Sequence, residues 1–473
     1  MNDPSSPGIT QQTSRSEVVQ GSTELVPYLV RALECEALAA GSTRVALSEV
    51  NEVCIGRGER RVERTREGKQ VRIRLSIPDR KASLDHARLL RADAEWVLED
   101  RGSTNGTAVF GSRITRTALA DGDVIEIGST LFLYREAPGS GRPLTDKELL
   151  PGGKDELATL SPALEEGVGR IRRIAASQLS VLLLGETGSG KEVVARSIHV
   201  GSGRPGAFVP VNCGAIPGPL MEAQLFGHVK GAFTGAVRDE IGFVRSAHFG
   251  TLFLDEIADL PPSSQAALLR VLQSGDVTPV GSAKSIHADV RVLAATHKNL
   301  ETLMDQGMFR RDLYARLAGF AHPLLPLRDR PEDLGWLVGT LLARHAAKGA
   351  AVQLKLDAAR ALFAYPFPMN VRELEQCLAS ALVLADGEPI ALLHLPDALR
   401  KLHSQPLRPS RPSLAPAGAE PESEEDRAVR ASLLGALRET GGNVSETARR
   451  LGKARQQVQR WLRRFAIDPS RFQ

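Results

Sequence analysis

Aromatic side chains make up only 4% of this 473-residue chain, so its cores must be built from Leu, Val, Ile and Ala. No uninterrupted apolar run approaches the roughly 20 residues that a membrane-spanning helix needs, which argues against a membrane protein. Cys35, Cys54, Cys213 and Cys377 are scattered, with neither a CxxC pair nor metal-ligand spacing. They read as reduced, buried thiols of a cytoplasmic protein. The start, Met1 to Glu24, lacks the apolar stretch of a secretory signal, and no internal repeat is visible. Charge is equally uninformative, since 60 Lys and Arg against 56 Asp and Glu leave a net +4, too little to name a partner. What remains is ordinary for globular protein, 42% hydrophobic and 25% charged, with length enough for about two to four domains.

Composition divides the chain. Residues 1–24 form a polar tail expected to be disordered. From 25 to 137, short β-branched runs alternate with Gly, Asp and Asn turns, the pattern of an all-β domain. Residues 138–156 read as a linker. Between 157 and 402, apolar strands alternate with helical patterns, as in an α/β domain. Residues 403–426 carry Pro406, Pro409, Pro412, Pro416 and Pro421 among Ser, Ala and Glu. Such a stretch buries too little apolar surface to fold and reads as a tether. The last segment, 427–473, is short, basic and helical in pattern.

The strongest chemical signal is Gly185-Glu186-Thr187-Gly188-Ser189-Gly190-Lys191, directly after the apolar run Val181-Leu182-Leu183-Leu184. Glycines at a strand-to-helix junction let successive N–H groups face a polyphosphate, and the helix adds its positive end while Lys191 reaches the outer phosphates. Downstream, Thr251-Leu252-Phe253-Leu254 is a second apolar strand that ends in Asp255 and Glu256. One carboxylate can hold Mg²⁺ and the other can orient a water. Together the two pieces read as an NTPase. Arg310 and Arg316 follow a predicted helix; by spacing alone they read as surface ion pairs, although an arginine supplied by a neighbouring subunit can neutralise charge on a transferring phosphoryl group. Arg372 stands in a later helical segment where it can sense nucleotide.

The α/β segment resembles the AAA+ ATPase domain of sigma-54-dependent transcriptional activators, with its helical subdomain. The diagnostic piece is Gly231-Ala232-Phe233-Thr234-Gly235-Ala236, preceded by Glu222-Ala223-Gln224-Leu225-Phe226-Gly227. In that family the hexapeptide tips a loop that engages sigma-54. The resemblance implies ATP and Mg²⁺ as ligands, with Lys191 on the β/γ-phosphates, Asp255 on the metal and Glu256 activating the attacking water. It further implies Asn212 as the residue restraining that glutamate, Thr296 as first sensor with His297 beside it, and Arg372 as second sensor. Arg310 and Arg316 become trans-acting fingers, which require a ring, a hexamer assembled from dimers. Glu192 stands where a generic phosphate loop has Ser or Thr, so no hydroxyl is offered to Mg²⁺ there, although this family commonly has Glu. Arg245, Phe249, Phe367 and Met369 also depart from the family pattern.

The ends carry two further resemblances. Asn443 and Glu446 read as a helix cap and its reciprocal partner; Gly452 allows a turn, and a second helix follows from about Ala454, packed by Val458, Leu462 and Phe465. Its other face shows Arg455, Gln456, Gln459 and Arg460, residue types that bond base edges in a major groove. From Gly441 to Gln473, eight Lys and Arg against two Asp and Glu give a local +6 suited to double-stranded DNA. The segment resembles an all-α Fis-type helix-turn-helix. At the other end, Gly56-Arg57, Ser83-Leu84-Asp85-His86 and Asp100-Arg101-Gly102-Ser103-Thr104-Asn105-Gly106-Thr107 resemble a forkhead-associated (FHA) domain, a β-sandwich that recognises phosphothreonine. The resemblance implies that Arg57, Ser83 and Thr104 hold the phosphate, that Asn105 binds the peptide backbone, and that His86 braces the loops. The whole then reads as an activator that remodels sigma-54 RNA polymerase and answers to a Ser/Thr kinase. Two other readings stay open at this point: a DNA-binding repressor whose core only binds nucleotide, and an unfoldase or helicase with the same motor.

Overall fold

The computed structural model describes residues 25–93, 95–139, 143–153, 155–347, 350–403, 424–441, 443–453 and 455–464. The tail and most of the proline-rich tether lie outside the described residues, as do Ala454 and Phe465. The chain forms two compact units, one up to Pro412 and one from Ser413.

The first unit opens with an all-β sandwich of a seven-stranded and a six-stranded sheet. Strand Gln70–Ile77 shows how residue pattern makes the sandwich. Val71, Ile73, Leu75 and Ile77 point into the core while Gln70, Arg72 and Arg74 stay exposed, the two-residue period of a half-buried strand. The opposing sheet contributes Leu29, Val45, Ile125, Ile127 and Phe132 to the same core. The stretch expected to be a linker contains a strand, Lys147–Leu149, that pairs with Ser42–Ala46 and extends the seven-stranded sheet.

The α/β domain follows on a five-stranded parallel sheet, ordered Phe208–Asn212, Thr251–Asp255, Arg291–Thr296, Val181–Leu184, Phe320–Pro323. Its central strands have apolar middles because helices cover both faces, with Leu182, Leu252 and Ala294 buried on one side and Leu183, Phe253 and Leu293 on the other. Helices Leu334–His345, Leu356–Ala364, Asn370–Ala385 and Asp397–His403 then form the helical subdomain.

Strand Leu25–Glu34 is buried on both faces from Tyr28 onward. One face serves the sandwich core; the other, with Val30, Ala32 and Leu33, shares a second core with Leu334, Val338, Leu341, Leu362 and Phe367 of the helical subdomain. Polar groups lock the same surface. Glu332, itself buried, accepts from Tyr28 Oη and Arg135 Nη1 at 3.2 Å each. Arg360 makes a two-pronged pair with buried Glu126 at 2.7 and 2.6 Å. Arg44 donates to Leu160 O at 2.8 Å and pairs with Glu165 at 2.9 Å, so the sandwich also grips the helix Pro162–Ala175 of the α/β domain.

The second unit has helices Glu424–Glu439, Val444–Arg450 and Arg455–Arg464 around Leu433, Leu437, Ala448, Val458 and Leu462. Asn443 caps the middle helix, its Oδ1 accepting from Ser445 N and Glu446 N at 3.1 and 3.3 Å. The reciprocal half expected of Glu446 is supplied otherwise, since Asn443 N donates to Thr440 O. Among the described residues, no helix is long and apolar enough to cross a membrane.

Asp333 seals the joint between the helical subdomain and the α/β domain, accepting from Thr159 Oγ1 at 2.7 Å and Leu160 N at 2.6 Å. Burial pushes its carboxyl up to about 6. A raised carboxyl binds its proton more tightly folded than unfolded, so wild type should lose stability relative to Asp333→Asn as pH rises from about 4 to about 6. Melting temperatures of the two proteins across that window check this, and a difference independent of pH would refute it.

Candidate functional site

Val181–Leu184 delivers the chain to the glycine loop, and the helix Lys191–Ser202 leaves it. Gly188 and Gly190 have φ of 75° and 102°, where a side chain would be strained. A Cβ on Gly188 would also fall 2.2 Å from Met369 O, so the loop and the helical subdomain interlock. Lys191 is buried, its Nζ donating to Gly185 O at 3.0 Å and Glu186 O at 3.2 Å across the loop it closes.

The neighbouring strand brings the acids to the same edge. Asp255 is half-buried, its carboxyl raised by burial, with Oδ1 accepting from Glu256 N at 3.1 Å. Glu256 sits in the left-handed region at φ 52° and ψ 50°, turning its carboxylate back towards the phosphate loop. One oxygen lies 3.9 Å from Lys191 Nζ, and the other accepts from His297 Nδ1 at 2.8 Å, with Thr296 Oγ1 at 3.5 Å. Asn212 neighbours Asp255 in the sheet register, but its Oδ1 accepts from Gly214 N at 3.0 Å. The restraint on Glu256 that the resemblance assigned to Asn212 is made here by His297 and Thr296. Glu192 is engaged by Arg196 on its own helix at 3.1 Å.

The sequence reading missed the groups that hold the loop from outside. Arg328 grips Glu186 through two bonds of 2.8 and 2.6 Å and holds its carboxyl down at about 2. Arg330 donates to Ser189 O at 3.0 Å. Asn370, fully buried at φ 56°, donates to Glu186 Oε2 and Thr187 O and accepts from Leu327 N at 2.7 Å. Their signal was the pair Arg328 and Arg330 just before the helical subdomain. Arg372 is exposed at the loop edge, its Cβ 3.0 Å from where a Gly188 Cβ would stand. Arg310 is exposed and paired with Asp312 at 3.0 and 2.7 Å, and Arg316 is exposed on the helix Arg311–Leu317.

Beside the loop lies a cavity of about 160 Å³ walled by Val193, Leu324, Leu337 and Leu341. It compares with an engineered cavity of about 150 Å³ that admits benzene. Three buried polar atoms of its lining, Ser189 Oγ, Arg330 Nε and Thr340 Oγ1, have no hydrogen-bond partner among the described residues. An apolar cavity flanked by unanswered polar groups and a phosphate cradle fits a nucleotide. The donor set also fits Mg²⁺, which is held by one or two carboxylates together with substrate phosphates.

The hexapeptide loop is built as expected from its glycines. Gly231 and Gly235 have φ of 82° and 104°, and Gly231 N donates to Ala236 O at 2.9 Å to close the turn. Thr234 is exposed, Ala236 is buried, and Ala232 sits against Gly281. Phe233 is only 38% exposed because it leans on His228, ring centroids 5.0 Å apart.

In the sandwich, the three loops that carry the FHA resemblance meet. Arg57 N donates to Ser83 O at 2.8 Å, Thr104 N to Ser83 Oγ at 3.1 Å, and Ser83 Oγ lies 3.4 Å from Thr104 Oγ1. Arg57 is exposed there. Asn105 donates to Lys81 O at 2.7 Å, tying two loops. Buried His86 accepts from Ser83 N and reaches Gly106 O, the bracing role read from sequence. Asp100 was overlooked: its carboxylate accepts from Ser103 N, Ser103 Oγ and Thr107 Oγ1 and shapes the third loop. In the second unit, Arg455 is exposed on the last helix; the side chains of Gln456, Gln459 and Arg460 lie outside the described residues.

Residues 157–321 match the family model of the sigma-54 interaction domain, 328–411 that of the AAA+ ATPase lid domain, 53–128 the FHA domain, and 424–469 a homeodomain-like domain. The chain is 42% identical over 408 residues to the acetoin catabolism regulatory protein of Cupriavidus necator, covering 85% of this chain and 60% of that one. To the response regulator protein PilR of Pseudomonas aeruginosa it is 41% identical, covering 65% of this chain and 69% of the relative. The crystal structure of NtrX from Brucella abortus in complex with ADP is 30% identical, with a TM-score of 0.49, covering 66% of this chain and 70% of that one. The chain belongs to the sigma-54-dependent transcriptional activators, with an FHA domain, an AAA+ domain with its lid and a helix-turn-helix.

Replacing Glu256 by Gln should lower phosphate release about 10²–10⁴-fold while a fluorescent nucleotide analogue still binds, because the glutamate lies outside the cavity lining. Equal turnover in mutant and wild type would remove Glu256 from the chemistry.

Proposed function

We propose that the protein is an ATP-driven activator that works in the cytoplasm, binds DNA upstream of a promoter and remodels sigma-54 RNA polymerase into its open form. One observation carries the reading: Lys191, Asp255, Glu256 and Thr296 gather at the phosphate loop in the same chain as the glycine-closed loop Gly231–Ala236. In this reading Gly185 to Gly190 cradle the phosphates, Lys191 and Arg372 meet their charge, and Thr296 with His297 holds Glu256 until it orients the attacking water. Asp255 would hold Mg²⁺, which supplies charge neutralisation at the phosphates. Asn212 lies one strand away and would take over the restraint of Glu256 when His297 lets go.

Arg310 and Arg316 stand on exposed surface, as groups acting on a neighbouring subunit must. A homo-oligomer, from dimer to hexameric ring, therefore belongs to the proposal. The nearby loop would present Thr234, with Phe233 leaving His228, to the sigma factor. The last helix, with Arg455, Gln456, Gln459 and Arg460, would read the DNA. Arg57, Ser83, Thr104 and Asn105 would take a phosphothreonine protein, such as the target of a Ser/Thr kinase or the kinase itself, through charge-assisted bonds.

Two variants divide the proposal. Thr234→Ala should keep ATP hydrolysis within about twofold yet abolish promoter opening, since Thr234 is an exposed side chain with no part in holding phosphate; parallel phosphate-release and heteroduplex-probing assays decide, and unchanged opening would refute the sigma-54 role. Arg57→Ala should weaken binding of a phosphothreonine peptide by about 10–100-fold, the loss of a charged hydrogen-bonding partner. Titration against a peptide library tests this, with undiminished affinity refuting it.

A further inference from the structure

The helix Leu334–His345 has two occupied sides. On one, Gly335 and Gly339 lie one turn apart with FHA backbone against them. A Cβ on Gly335 would fall 1.8 Å from Ala32 O, and one on Gly339 would fall 2.8 Å from Leu38 O. Only glycine allows so close an approach. On the other side, Leu337, Thr340, Leu341 and Arg344 line the cavity beside the phosphate loop. Positions separated this way on a helix of 3.6 residues per turn point in different directions. Trp336 joins both sides: it lines the cavity and donates from Nε1 to Leu150 O at 3.2 Å, just after the strand that extends the FHA sheet. The chain then runs through Asp155 to Thr159, which form another wall of the same cavity.

We infer that the FHA domain is a positioning element of the nucleotide site: the strand Leu25–Glu34, seated on Gly335 and Gly339, sets how far this helix leans over the cavity and so where Thr340 and Trp336 meet a nucleotide. The orphaned Thr340 Oγ1 is the group whose placement matters most, since a buried hydroxyl without a partner favours a bound ligand that supplies one. The inference rests on the ATP reading above, and its test is arranged to separate the two.

The experiment titrates the full-length chain with the fluorescent analogue mant-ADP plus Mg²⁺ and measures ATP turnover. Gly335→Ala alters only the FHA side of the helix. It should raise the analogue Kd and the KM for ATP by about tenfold or more, as overpacking displaces the helix, while kcat at saturating ATP stays within about twofold. A merely structural role would instead lower kcat with the folded fraction and leave KM alone, and that result overturns the inference. So does an unchanged Kd in a folded Gly335→Ala protein. Should Gly335→Ala not fold, Arg360→Gln serves: it removes the pair with Glu126 at the rim of the same interface, far from the cavity lining, and should raise Kd about three- to tenfold. Wild-type affinity in that variant then overturns the inference. Wild type that fails to bind the analogue refutes the ATP reading itself, and this inference with it.

Discussion

The burial of Leu25–Glu34 on both faces is the constraint that organises the first unit. A sandwich sheet ordinarily turns one face to water, which permits polar residues at every second position. This strand cannot, and from Tyr28 to Glu34 each residue is enclosed. Its charged members are therefore paired: Arg31 reaches Thr43 at 2.7 Å and Glu34 at 3.2 Å, and Glu34 in turn meets Arg60 at 2.6 Å. Because a buried charge without a partner is costly, these contacts tie the strand to its sandwich neighbours, while the Tyr28–Glu332 and Glu126–Arg360 pairs tie the sandwich to the helical side. The lid thus shares a hydrophobic core with the FHA domain as well as contacts with its own α/β half.

The phosphate loop is held from the same direction. Glu186, Thr187 and Ser189 are gripped by Arg328 and Arg330, which precede the first lid helix, and by Asn370, which opens a later one. Exposed ion pairs contribute little singly, but here a two-pronged arginine pair, a fully satisfied buried amide and the interlock at Gly188 converge on one loop. The loop's shape follows the lid, and the lid follows the sandwich.

Much of this was legible in the sequence, and the limits have physical reasons. The glycine loop, the paired acids and the hexapeptide are local patterns whose spacing dictates backbone shape, so Lys191, Asp255, Glu256 and the turn at Gly231 and Gly235 fall where the motifs put them. The cap at Asn443 is equally local. The doubly buried strand had a trace in the run Leu25-Val26-Pro27-Tyr28-Leu29-Val30, which is continuous where a half-buried strand alternates, yet nothing local says what covers the second face. For the same reason Lys147–Leu149 read as linker: its partner, Ser42–Ala46, is about a hundred residues away in the chain. Asn212, which the resemblance gave as restraining Glu256, bonds Gly214 N of its own turn, and His297 is the group in contact with the carboxylate.

Glu256 itself shows what the chain gives up. Its backbone lies in a region that glycine occupies freely and a side-chain-bearing residue enters at a cost of about 1–3 kcal/mol. The turn after the acidic strand would close more comfortably around a glycine, with no carboxylate left to do chemistry. In the proposed reading, an acid there means that selection for rigidity and selection for turnover pull this one position in opposite directions, so variants recovered for heat resistance alone should tend to arise here with their reactivity gone.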